Sequence, residues 1–191
     1  QLRYLEKLGL IKKAGSTYQI PLFSVYLLAR NLSDFNRLAG KRVRIVSYGG
    51  NDKLGRGVFD KEFKEGVVEA FKSIYRELNG LIPRRERIDL ESGRRLVELS
   101  IPQAVVRELL SNAFAHQDLS SEGDGIVIEV FKNRVEITNS GLPVLDPLHF
   151  LDGGPPIKNE KLFSEMKNLG LLDGQGHGWR KIVKELESRS L

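Results

Sequence analysis

The stretch from Pro102 to His116 constrains this chain more than any other. Ser100 and Pro102 sit where a helix boundary and a first-turn proline belong, and Val105, Val106, Leu109, Leu110, Ala113 and Phe114 recur at helical spacing to form an apolar face. Beside that face Glu108, Asn112 and His116 return every fourth residue and line one stripe. A carboxylate one turn from a carboxamide, at the edge of a buried face, can hold magnesium through the amide oxygen while the carboxylate orients water. Taken alone, the same spacing also describes a solvated helix edge.

The segments beyond this helix narrow the choice. Gly125 to Phe131 and Val135 to Asn139 read as paired strands joined by Lys132, Asn133 and Arg134, and Asn139-Ser140-Gly141 breaks the second strand. Glu160 to Leu169 and Gly178 to Ser188 have helical periodicity, separated by Gly170 and by the glycine-rich stretch Gly174, Gly176, Gly178.

Ahead of it, Leu2, Leu5, Leu8 and Leu10 predict a short amphipathic helix, and Ile11 to Ile20 a hairpin turning at Ala14-Gly15-Ser16, together similar to a winged-helix fragment. Phe23 to Ala29 and Arg42 to Tyr48 suggest strands. Asp60 is expected to cap a helix with apolar positions Phe63, Val67, Ala70, Phe71, Ile74 and Leu78, ending at Gly80. Pro83 and the polar run to Arg87 suggest a connection, and Arg87 to Leu90 with Arg95 to Ser100 a second hairpin around Glu91-Ser92-Gly93. A boundary is expected near Leu81, giving two lobes, 1–80 and 81–191.

Charge divides the same way. Residues 1–100 carry 20 lysines and arginines against 12 acids, whereas the remainder carries 10 against 13, so the net +5 conceals a basic first half. Such an excess suits either a lobe that approaches nucleic acid or a solvated basic surface. The absence of cysteine excludes disulfides, thiolate zinc sites and cysteine nucleophiles. No apolar run approaches a membrane span and the start lacks a signal-peptide layout, so a soluble, cytoplasmic protein is expected. The only methionine is Met166, so the chain is expected to be a piece of a longer protein.

The runs IPQAVVRELLSNAFAHQD, VEITNSGLP, IKNEKL and LGLLDGQGHGWRKI, in that order, resemble the ATPase-like domain of transcriptional regulators related to the RecG helicase C-terminus. That domain belongs to the GHKL group of gyrase, Hsp chaperone, histidine kinase and MutL ATPases. The resemblance spans roughly residues 95–188. LEKLGLIKK and the basic strand leading to SYGGNDK are similar to the end of an AlbA-type, Schlafen-like domain. The implied fold is a two-layer GHKL/Bergerat-like α/β sandwich preceded by a smaller α/β lobe.

By position, the resemblance makes Glu108 the acid that activates the attacking water and Asn112 the magnesium ligand, with His116 near the phosphates. Asn139 stands where most of the group has an adenine-reading aspartate, and Gly141 admits the base. Lys158 and Asn159 stand where this subgroup usually has Arg-Asn. Gly174, Gly176 and Gly178 would form the phosphate-contacting turn at a helix start, where unpaired amides favour an anion.

Ser140 replaces the usual proline, Gln117 a frequent arginine, and the interval from Asn139 to Gly174 is short for an ATP lid. The implied partners are ATP with Mg2+, and DNA through the basic half or a preceding segment. The implied activity is weak ATP hydrolysis. The alternative is a degenerate, non-catalytic scaffold for dimerisation, as a homodimer, or for DNA attachment.

Other motifs fail on context. The glycine triplet comes after a helix rather than a strand, which excludes a dinucleotide fingerprint. No Walker A sequence occurs, so no helicase motor is expected in this chain. His116, His149 and His177 lack metal-ligand spacing.

Overall fold

Two strands more than 80 residues apart in sequence lie side by side at the centre of the molecule. In the computed structural model, which describes residues 1–55, 57–89, 91–120, 123–141, 158–172 and 178–187, β3 (Val43–Tyr48) pairs in parallel with β7 (Ile126–Val130), Val43 opposite Ile126 and Ile45 opposite Ile128. Flanking them antiparallel are β4 (Gly57–Phe63) and β8 (Val135–Thr138), giving the order β4-β3-β7-β8. A parallel neighbour needs a long crossover. Here it contains α3 (Val67–Leu81), the hairpin β5 (Arg84–Ile88) and β6 (Arg95–Leu99), and α4 (Gln103–Ala115).

Before the sheet come α1 (Leu2–Lys7), the hairpin β1 (Lys12–Ala14) and β2 (Thr17–Gln19), and α2 (Leu22–Leu28). After it come α5 (Glu160–Asn168) and α6 (Gly178–Glu187). Val43, Ile45, Ile126, Ile128 and Val130 on one sheet face join Tyr26 and Leu27 of α2, Phe71, Ile74 and Leu78 of α3, Leu110 and Phe114 of α4, and Leu162 and Met166 of α5. The result is a two-layer α/β sandwich with one continuous core. Both sheet and core draw on residues from either side of Leu81, so hydrogen bonding and packing run across the expected division.

Gly125 makes this arrangement sterically feasible. A Cβ on it would overlap the Arg42 carbonyl oxygen, so a side chain there would push β7 away from the start of β3. No helix among the described residues is long and apolar enough to cross a membrane.

Three local expectations are corrected. Phe23 to Ala29 is helical, as α2, which buries Ser24, Tyr26 and Leu27; a short apolar run carries no period to separate strand from helix. Asp60 does not cap α3. It lies on β4, ion-paired to Arg44 of β3, and the helix begins after Gly66. Phe63 enters the core from that strand, and its spacing to Val67 mimicked a helical step. The run after Pro83, expected as a connection, is already β5.

Candidate functional site

The buried face of α4 is rotated slightly from the one expected. Leu109 is half-buried, while Ser111 and Ala115 are fully buried. The Ser111 hydroxyl lies within hydrogen-bond distance of the Arg107 and Leu171 carbonyls, 2.8 and 2.6 Å, which ties α4 to the segment after α5. Glu108 and Asn112 flank this face, half-buried and adjacent, with the Asn112 amide donating to Glu108 Oε1 over a long 3.5 Å. The Asn112 oxygen is thereby turned away from the carboxylate. The two present hard oxygen donors of the kind magnesium takes.

Glu108 faces α6. It shares a hollow of about 20 Å³, room for one water, with Ala104, Val105, Ile182 and Glu185. Among the described residues no group of three or more metal-ligating side chains is assembled.

His116 is the C-cap residue of α4, and burial lowers its pKa below the ordinary 6.5. Past that cap lies a second cluster. The last carbonyls of a helix lack intrahelical partners, and two asparagines supply them: Asn139 Nδ2 donates to the Ala113 carbonyl at 2.5 Å, and Asn159 Nδ2 to those of Ala115 and Gln117 at 3.0 and 2.7 Å. Asn139, expected as a base reader, therefore spends an amide hydrogen holding β8 to α4.

Lys158 pairs with Asp118 at 2.8 Å. Gly141, at φ +103°, lies against the same aspartate, its hypothetical Cβ only 2.9 Å from Asp118 Cβ. The hydrogen bond from Lys158, together with those from the Ser120 hydroxyl and backbone, holds the Asp118 carboxyl well below the usual carboxylate range.

Lys41, from the loop before β3, is buried within the same cluster; its ammonium donates to the Gly123 carbonyl at 2.9 Å and to Ser140 Oγ at 3.2 Å. Burial lowers its pKa, opposed by the nearby Asp118 and Asp124. Gln117 also donates to Ser140, at 2.8 Å, and its buried Oε1 has no partner among the described residues.

Of the site residues expected from sequence, the structure brings Glu108 beside Asn112, and separately gathers Asn139, Gly141 and Lys158 around the end of α4. Gly178 is the first residue of α6. Gly174 and Gly176 lie outside the described residues. Neither Asp118 nor Lys41 belongs to the site residues expected from the sequence. The pattern Asp118-x-Ser120, whose serine amide and hydroxyl both bond the acid, is a legible local signal. Lys41 offers none, since its partners are 82 and 99 residues away.

Fold and site together define an α/β sandwich with a carboxylate and a carboxamide on one central helix and a polar cluster capping that helix. Residues 123–191 match the family model described as "Putative ATP-dependent DNA helicase recG C-terminal". The match takes in β7, β8, α5 and α6, and begins after Glu108, Asn112 and His116. The crystal structure of the DIP2311 protein from Corynebacterium diphtheriae has a similar fold, with a TM-score of 0.70 and 15% sequence identity over 91% of this chain. The chain spans 33% of that protein. No curated protein matches the chain.

Proposed function

We propose that the protein is an ATP-binding regulator module whose Mg-ATP site is organised by α4. The observation that carries this reading is the half-buried Glu108–Asn112 pair, with Glu108 facing the helix that Gly178 opens. The match of residues 123–191 to a RecG C-terminal-like model supports it independently.

In this reading the Asn112 oxygen holds magnesium, which neutralises phosphate charge when bound. Glu108 accepts the proton of the attacking water, and burial beside Ile182 restricts other water. The Asn139 oxygen remains to accept from an adenine amino group while its amide caps α4. Lys158, held by Asp118, stands at the start of α5 as a cation for the phosphates. The net positive charge of residues 1–100 favours DNA as the target that nucleotide binding regulates.

One observation favours the degenerate-scaffold reading: Asn139, expected to read the base, spends an amide hydrogen on the Ala113 carbonyl. Replacing Glu108 separates the two. Under the catalytic reading, Glu108→Ala and Glu108→Gln lower turnover roughly 10²–10⁴-fold while Mg-ATP binding persists. Wild-type turnover in either variant removes the mechanism, and no turnover in the wild type despite tight Mg-ATP binding leaves a binding module alone.

A further inference from the structure

The hairpin β5–β6 stands outside the four-stranded sheet, and among the described residues no third strand pairs with either of its edges. Val97 and Ile88 are 57% and 63% exposed on it. An isolated two-stranded hairpin is marginal in water, and an open edge is a template for another strand. We propose that the outer edge of β6 pairs antiparallel with β6 of a second copy of this chain, forming a two-fold symmetric dimer.

Backbone geometry fixes which groups face outward. The Asp89 amide donates to the Arg94 carbonyl and the Ser100 amide to the Pro83 carbonyl, so even-numbered residues of this strand turn their backbone toward β5. By alternation, the amides and carbonyls of Arg95 and Val97 point away from it. A two-fold axis perpendicular to the hairpin at Leu96 then lets Arg95 exchange both backbone bonds with Val97 of the partner subunit.

The side chains agree with that register. On one face Arg94 comes opposite Glu98 of the partner subunit, on both sides of the axis, and Leu96 meets the partner's Leu96. On the other face the Arg95 stem covers the partner's Val97. Opposite charges directly across a pair stabilise it and like charges destabilise it.

The outer edge of β5 is less suited: pairing it with itself about Glu86 sets Arg85 against Arg87 of the partner subunit, and pairing about Arg85 or Arg87 sets that arginine against its own copy. Nucleic acid is a poorer occupant of the hairpin, since Arg85 and Arg95 already pair with Glu98 and Glu86 at 3.2 and 3.0 Å.

Sedimentation across micromolar concentrations of the 191-residue chain tests the proposal. The wild type shifts from monomer to dimer with concentration. Arg94→Glu alone and Glu98→Arg alone each weaken association at least about tenfold, about 1.4 kcal/mol. An equimolar mixture of the two variants recovers it, because their altered edges complement each other, and circular dichroism verifies that each is folded. Recovery on mixing is an outcome that loss of the internal Arg85–Glu98 pair would not produce. A monomeric wild type, a dimer indifferent to both changes, or a mixture that stays monomeric overturns the proposal.

Discussion

Gly141 and Asp118 are in contact so close that a methyl group on the glycine would begin 2.9 Å from the aspartate Cβ. The glycine also holds φ +103°, a conformation that costs an L-residue on the order of 1–3 kcal/mol. Gly141→Ala should therefore destabilise the protein by about that amount or slightly more, read as a lowered Tm. An unchanged Tm would contradict the packing described.

If Asn139 reads the base, Asn139→Asp would look like an improvement, since a carboxylate accepts more strongly than a carboxamide. The structure argues the reverse. A carboxylate cannot donate to the Ala113 carbonyl, so the change leaves that carbonyl unpaired beside a negative charge, at a cost of about 1–3 kcal/mol. Urea unfolding should give a lower midpoint, with Mg-ATP affinity falling rather than rising; tighter binding at unchanged stability would show that the asparagine is not a cap.

Burial keeps His116 below its ordinary pKa of 6.5. The unfolded chain takes up a proton near that value while the folded chain resists until a lower pH. The stability that neutral His116 contributes is thus complete above about pH 6.5 and is lost as the pH falls below it. His116→Gln should flatten the fall in unfolding free energy between pH 7 and pH 5. Asp118, with a lowered pKa, loses its contribution only below the ordinary carboxylate value of 3.8, so the two effects separate along the pH axis. An acid slope in His116→Gln equal to that of the wild type would refute the assignment.

Much of the second half was legible because its elements announce themselves locally. Pro102 marks the start of α4, the Lys132-Asn133-Arg134 turn joins β7 to β8, and α5 keeps its period. The first half was less so. Asp60 imitates an N-cap while serving in a cross-strand pair with Arg44, and the Phe23 run has no period that distinguishes helix from strand. The joining of both halves was illegible for a plainer reason: β3 and β7 are more than 80 residues apart in sequence, and no local pattern in either strand specifies a parallel partner. Within the candidate site, the Glu108–Asn112 spacing comes from helical geometry, whereas the convergence of Lys41, Asp118, Ser140 and Asn159 depends on tertiary contacts. The bond from Asn139 to the Ala113 carbonyl joins residues 26 apart on different elements, so no local pattern announces it.

Calorimetric titration with Mg-ATP, run in parallel on wild type and Asn112→Ala, bears most directly on the claim that α4 organises a nucleotide site. The account predicts saturable, magnesium-dependent binding in the wild type that weakens at least about tenfold in the variant, about 1.4 kcal/mol. Absence of heat in the wild type at high protein concentration, or equal magnesium-dependent affinity in both proteins, would contradict it.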